Sequence, residues 1–245
     1  MDSGYYAACT ALISRTQELD TIANNLANVS TNGYRAEQDV FSEVLATAGN
    51  TSGSALDQAM NSYGIVSGTT LDQNQGALQK TGNDLDVAIE GGGYFEVQTA
   101  DGPMYTRNGA FQISSHNQLI TAQGDAVMGD GGAITLPSGP ISISPDGTIS
   151  SNGALVGKLK VVDFPAGTQI DSVGNAYYSA PAGTATAATD SSIRQGMLES
   201  SNVNAITGMV QLVTAQRSAE MMQRALSMFN SEIDKTATQD LPKVG

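Results

Sequence analysis

The sequence predicts an α+β protein: discontinuous terminal α-helices forming a coiled-coil-like helical domain, with a mainly antiparallel all-β domain inserted between them. Three observations predict it. Apolar residues keep a heptad spacing at both ends of the 245-residue chain. Between the ends the period falls to two, and turn dipeptides recur about every 8 to 12 residues. The boundaries that follow are a helical segment 1–35 pairing with 203–245, a connector 36–80, and a β-rich domain 81–202 with a low-complexity loop near 179–192.

The first helix starts at Asp2 or Ser3, either of which can cap it. From Tyr5 onward Ala8, Leu12, Leu19, Ile22, Leu26 and Val29 recur at steps of four and three, and only Arg15 interrupts the seam. Such a helix runs for roughly 26 residues, or about 40 Å. Asn24, Asn25 and Asn28 crowd its end, although Asn favours turns over helix interiors. Asn32-Gly33 is the stop signal.

The last helix follows the same grammar. Leu212, Ala219, Leu226 and Ile233 lie seven apart, with Ala215, Met222 and Phe229 between them. Asn204 is the expected cap, and Pro242 lies beyond the pattern. Two seams at opposite ends of one chain either close into an intramolecular hairpin or form a surface for other subunits. Met209, Met221 and Met228 lie off the main seam and broaden the apolar surface, which favours the second.

In the middle, "DLDVAIEGGGYFEVQT" (Asp84 to Thr99) alternates and then breaks at a glycine triplet. Turn signals follow at Asp101-Gly102, Asn108-Gly109, His116-Asn117, Gly124-Asp125, Asp146-Gly147 and Asn152-Gly153. "ISISPDGTIS" (Ile141 to Ser150) reads as a hairpin and "GKLKVVDF" (Gly157 to Phe164) as one strand. Short strands with Gly-rich turns build a sandwich-like or barrel-like domain. Leu45 to Gly64 and Ser179 to Ser192 follow neither period and read as connectors.

Composition excludes several function classes. A net charge of −13, from 11 Lys+Arg against 24 Asp+Glu and without a basic cluster, argues against nucleic acid and anionic membranes. No apolar run approaches the roughly 18 to 20 residues that span a bilayer, so membrane insertion is not expected. Cys9 is the only cysteine and His116 the only histidine, so neither a disulfide nor a Cys/His metal set is expected. Asp2 and Glu18 stand where a signal peptide needs a cationic or apolar stretch, so a cleavable one is not expected. Gly91-Gly92-Gly93 leads into a strand, not a helix N-terminus, which suits a bulge or tight crossing better than a phosphate cradle. Asp84 and Asp86 are a pair that 24 acidic residues produce by chance, and there is no Trp for carbohydrate stacking. No catalytic, metal or cofactor site is expected.

"NNLANVSTNGYRA" (Asn24 to Ala36) resembles the N-terminal signature of bacterial flagellar basal-body rod and hook proteins, with Asn24, Asn25, Leu26, Ala27, Asn28, Thr31, Gly33, Tyr34 and Arg35 all matching. "LESSNVNAITGMVQLVTAQRSAEMMQRAL" (Leu198 to Leu226) is similar to their C-terminal signature, except that Ala219 replaces the usual aromatic. "LDVAIEGGGYFEVQTADGPMYTRNGAFQISSHNQLITAQGDAVMG" (Leu85 to Gly129) is similar to their shared inner β domain. Three signatures in the right order cover both ends and much of the centre. The β domain is too short to carry the outer domains of a hook protein, and Ile143 to Phe164 looks most like a proximal rod protein, with the distal rod protein close behind.

The resemblance implies a structural subunit that polymerises through its terminal helices into a tubular drive shaft. Such a shaft transmits torque, lines the export channel and spans the periplasm. The partners implied are copies of the chain, other rod and hook proteins, and the flagellar export apparatus, with export that needs no cleavable signal peptide. Subunit assembly is expected of the seam residues Leu12, Leu19 and Ile22 and of the signature residues Asn24, Asn25, Leu26, Ala27, Asn28, Thr31, Gly33 and Tyr34. At the other end it is expected of Leu212, Gln216, Arg217, Ala219, Glu220, Met222 and Leu226, and of the seam residues Phe229 and Ile233 beyond the signature. Buried among other subunits, the Asn24, Asn25 and Asn28 amides would fix register; the alternative is that they fray the helix end before Gly33. A flagellum-associated binding module and a peptidoglycan hydrolase are the other classes weighed, and the second needs a catalytic cleft the sequence does not offer.

Overall fold

The computed structural model describes residues 2–42 and 65–239, so Leu45 to Gly64 and Pro242 lie outside the described residues. The chain is mixed α+β with a β-rich domain, and it divides into two compact units. One draws on Met1–Leu26, Glu37–Thr69 and Asn204–Gly245, the other on Ala27–Ala36 and Thr70–Val203.

The first unit holds α1 (Asp2–Ala27) as far as Leu26, β1 (Glu37–Ser42), β2 (Ile65–Leu71) as far as Thr69, with β1 and β2 paired in a two-stranded sheet, and α2 (Ala205–Gln239). α2 starts where the sequence places its cap. The Asn204 side-chain oxygen accepts the Ile206 and Thr207 backbone N–H groups at 3.0 and 3.1 Å, satisfying two donors that a helix start leaves open. On α2, Ala215 and Ala219 are buried and Leu212, Met222 and Leu226 half-buried, along one heptad stripe. Gly208 extends that stripe, and a Cβ built on it would stand 3.8 Å from Leu26 Cδ1.

The second unit is built almost wholly of antiparallel strands. A branched ten-stranded sheet runs in the order β15 (Asp171–Gly174), β16 (Tyr177–Ser179), β6 (Gly102–Thr106), β5 (Tyr94–Thr99), β9 (Ala126–Gly129), β8 (Leu119–Ile120), β7 (Gln112–Ile113). β10 (Gly132–Ala133) joins at β9, and β14 (Val161–Asp163), carrying β17 (Thr186–Ala187), joins at β5. β5 is covered on both sides. Its alternation sends Phe95 and Val97 into one core with Val87, Ile89, Leu119 and Val127, and Tyr94 into a second core with Leu71, Tyr105, Val162 and Tyr178.

Three smaller sheets complete the unit. β11 (Ile141–Ile143), β12 (Thr148–Ser151) and β13 (Ala154–Lys158) form a meander, and its first hairpin is the one read from "ISISPDGTIS". Its second turn is Asn152-Gly153, with φ of 50° and 80°, the doubly left-handed geometry that two-residue hairpins prefer. β4 (Val87–Gly91) pairs with β18 (Ser191–Gln195), and β3 (Leu78–Lys80) with β19 (Met197–Glu199).

Three expectations need amending. "GKLKVVDF" is two strands, because the Leu159 and Lys160 N–H groups donate to Gly147 and Met128 where the chain passes from the meander to the main sheet. The stretch 36–80 is no plain connector: it contains β1, β2 and β3, and β3 is paired by β19. The low-complexity loop contains β17, which hydrogen-bonds to β14. Gly91-Gly92-Gly93 lies at the corner between β4 and β5.

Candidate assembly site

The amide-rich end of α1 is tied down within its own unit. Asn25 receives the Glu37 N–H on its side-chain oxygen and donates its amide to the Glu37 carbonyl, both at 2.8 Å, so one side chain imitates a strand partner for the start of β1. Thr21 donates to the Asp39 carboxylate at 2.8 Å one turn earlier. Beyond the helix, Thr31 donates its N–H to the Asn28 carbonyl and its hydroxyl to the Asn28 side-chain oxygen, each at 3.1 Å.

Gly33 follows at φ +69°, and a Cβ there would lie 2.3 Å from the backbone of Arg107 and Asn108. The position therefore needs both the left-handed conformation and the missing side chain. Gly33 N–H donates to the Glu199 carbonyl at 2.8 Å, and the Tyr178 hydroxyl accepts the Arg35 N–H at 2.7 Å. Tyr34, 4% exposed, is inside the chain.

Beneath this turn lies a buried ion triad. Glu199 pairs with Arg35 Nη2 at 3.0 Å and with Arg107 Nη1 at 3.2 Å. The three residues are 2%, 1% and 3% exposed. Further hydrogen bonds serve the buried charges: Glu199 Oε1 accepts the Gly76 N–H at 2.9 Å, Arg107 Nη2 donates to the Gly91 carbonyl at 2.7 Å, and Arg35 Nη1 donates to the Asn74 carbonyl. Arg107 also sits 5.3 Å over the Tyr94 ring, a cation–π contact. Burial lowers the Arg107 pKa, Glu199 pulls it back up, and Arg35 lowers it again. Two cations share one anion out of water, so the site depends on Glu199.

Each of the three sequence signatures contributes one member of the triad: Arg35 from the first, Arg107 from "YTRNGAF", and Glu199 from "LESSNVN". Gly33 and Tyr34, expected at subunit contacts, make contacts within this chain. The other expected residues lie on the helices. Leu12, Leu19, Ile22, Asn25, Leu26, Asn28 and Thr31 are half-buried, while Asn24 and Ala27 are exposed. On α2, Gln216, Arg217 and Glu220 are exposed beside the buried Ala219. Phe229 and Ile233 are on the helix, with side chains outside those described. Arg35, Arg107 and Glu199 were not among the expected site residues. The available signal was charge inside signature motifs of a chain that is only 14% charged.

His116 is exposed in a turn, its Nδ1 3.3 Å from Ser115 Oγ. Among the described residues no three His, Cys, Asp or Glu side chains converge to hold a metal ion.

Comparison with known proteins gives one answer along the whole chain. Residues 6–35 match the flagella basal body rod protein family, 88–151 the D1 domain of flagellar hook protein FlgE/F/G, and 194–239 the C-terminal region of flagellar basal body rod FlgEFG proteins. The flagellar basal-body rod protein FlgF of Caulobacter vibrioides is 32% identical over 249 residues, covering 100% of both chains. FlgF of Salmonella typhimurium is 34% identical, covering 93% of this chain and 94% of its own. FlgG of Bacillus subtilis is 32% identical, covering 86% and 89%. A likeness that runs end to end, through all three motifs that build the triad, means that the chain belongs to the family of bacterial flagellar basal-body rod proteins.

Proposed function

We propose that this chain occupies the proximal part of the rod and polymerises through a coiled-coil-like pair of terminal helices into a tube that carries torque. At the coarser level it is a structural subunit of the flagellar basal-body rod, of a family of structural proteins and not enzymes, and it assembles with other rod and hook proteins. The finer reading adds the periplasm as its location, the export apparatus as a partner, passage without a cleavable signal peptide, and a tube interior that serves as export channel. Relatives of both the FlgF and FlgG types match along the chain, so the distal rod is the second position considered.

One observation carries the polymerisation reading. α2 carries large apolar side chains on the side away from its buried stripe as well, and among the described residues these stay exposed. Opposite the stripe of Ala215 and Ala219, at roughly 100° per residue, stand Ile206, Val210, Val213, Met221 and Met228. Their exposures are 77%, 63%, 48%, 62% and 65%. Arg217 and Arg224 stand among them, so this is a mixed face whose large exposed apolar side chains a neighbouring subunit would cover.

The test is Val213→Glu with Met221→Glu. The purified variant is expected to keep the circular dichroism of the parent, while cells carrying it build no rods. Normal rods would refute this face as the contact. Locating the protein in purified basal bodies decides between proximal and distal positions.

A further inference from the structure

We infer that a cleft in the β-rich unit, with Arg107 in its lining and Asp163 at its rim, binds the terminal carboxylate of a peptide together with the amide N–H beside it. The cleft measures about 420 Å³, within the size range of small-ligand sites. Its walls come from the Gly91-Gly92-Gly93 corner, the stretch after β2 and the loop from Asp163 to Ile170, all inside this one unit.

Arg107 supplies a buried donor. The residue is 3% exposed, and both of its terminal nitrogens are taken: Nη1 by Glu199 and the Ile89 carbonyl, Nη2 by the Gly91 carbonyl at 2.7 Å. Its Nε–H has no acceptor among the described residues. Arg35 draws on the same Glu199, so two cations meet one anion and the buried cluster keeps a surplus positive charge. A buried cation with an unmade hydrogen bond favours an anionic acceptor, since charge-assisted bonds are the strong ones.

Asp163 supplies an acceptor. Its Oδ1 takes the Phe164 N–H at 2.8 Å, and its Oδ2 faces Gly92, where a Cβ would stand 3.2 Å away. Gly91 and Gly93 have left-handed φ values, but Gly92 does not, so its backbone makes no demand for glycine. The missing side chain leaves Asp163 Oδ2 open to the cleft. Burial lowers the Arg107 pKa, and Asp163 is among the groups that raise it, so the two residues lie within one another's field. Phosphate would add repulsion at Asp163 and has no N–H to offer it. The last residue of a peptide carries a carboxylate and an amide N–H on one carbon, which serves both groups. Phe164, Pro165 and the buried Ile170 line the wall, so an apolar side chain suits that residue.

The probe is N-acetyl-leucine, followed through the Arg107 Nε–H resonance in proton–nitrogen NMR spectra of the purified full chain. That resonance is expected to move, with a dissociation constant on the order of 1 mM. The amide of N-acetyl-leucine, which lacks the carboxylate, should bind about tenfold more weakly, as should the N-methylated acid, which lacks the N–H. Gly92→Leu puts a side chain across the cleft without altering the triad. It should keep the near-ultraviolet circular dichroism of the parent and lose the response. Asp163→Ala, at an exposed position, is an independent check and should weaken binding about tenfold.

An Arg107 resonance that stays in place overturns the inference. So does a response that survives in Gly92→Leu, because binding then lies elsewhere. Equal binding of the acid and its amide overturns the carboxylate assignment, and equal binding of the acid and its N-methylated form overturns the role of Asp163. The source of the carboxylate is read from the chain alone. A shift that grows with protein concentration assigns it to another copy of this chain, and a spectrum that does not change with concentration assigns it to a free peptide.

Discussion

Replacing Glu199 with Gln removes one charge and almost no volume, so it isolates the electrostatic role of the triad. The carboxylate serves Arg35 at 3.0 Å, Arg107 at 3.2 Å and the Gly76 N–H at 2.9 Å, with all three charged groups at most 3% exposed. Gln can still accept one or two of these bonds, but its NH2 must face a donor, and two guanidiniums stay buried without a counter-ion. Breaking a buried pair by removing one partner costs about 3–5 kcal/mol, a large share of a typical 5–15 kcal/mol. At a urea dependence of about 2–3 kcal/mol/M, the midpoint should fall by roughly 1–2 M. The probe is near-ultraviolet circular dichroism of the tyrosines, since the chain has no Trp and Tyr94, Tyr105, Tyr177 and Tyr178 all lie in the β-rich unit. Replacing all three residues by apolar ones, Arg35→Met, Arg107→Met and Glu199→Leu, should be far milder than Glu199→Gln alone, because no charge is left stranded. A loss below about 1 kcal/mol for Glu199→Gln, the range of an exposed pair, would refute the triad as a buried and interdependent unit.

Two other outcomes can be checked on the same purified protein. Gly33→Ala should cost about 2–5 kcal/mol, summing the left-handed conformation and a Cβ 2.3 Å from the Arg107 backbone, and urea unfolding reads it directly. In a tyrosinate absorbance titration the buried hydroxyls should ionise late. Burial pushes Tyr177 up to about 12, despite the Thr121 hydrogen bond that lowers it, and burial raises Tyr178 as well. Both native values exceed the unfolded value near 10, so their stability contribution is complete below about pH 10 and is lost as pH rises through the native values. A single titration step near pH 10 with the fold intact would refute it.

The helices and the β class were legible in the sequence because their signals are local. A heptad at one end gives α1, 26 residues long from Asp2, and Asn204 caps α2 where a cap residue precedes apolar periodicity. The hairpin at Ile141 was legible from Asp146-Gly147 for the same reason. What did not show was pairing between distant segments. β3 is too short and too polar to announce itself, and only β19, arriving much later in the chain, makes it a strand. The split of "GKLKVVDF" depends on a change of partner at Leu159, which no period records. Nothing local to Glu199 or Arg107 indicates that each would be buried with a partner.

Gly33, Tyr34 and Arg35 of the N-terminal signature are held by contacts within the chain. Apolar contact is non-directional, so a root held only by burial could slide, whereas ion pairs and backbone-directed hydrogen bonds fix position and angle. The chain uses the directional kind at the base of its helices: the Asn25 amide on Glu37, the Gly33 N–H on the Glu199 carbonyl, the Arg35 guanidinium on the Glu199 carboxylate. It leaves the non-directional kind on the helix surface, where Ile206, Val210 and Met228 stay exposed. Polar bonds fix the turn after α1 inside the β-rich unit, whereas apolar side chains on α2 would tolerate small adjustments in any contact they make. A buried triad is a costly way to stabilise a domain, but its geometry is narrow, so it holds the segments of Arg35, Arg107 and Glu199 within the β-rich unit in one arrangement that apolar burial alone would leave freer to slide.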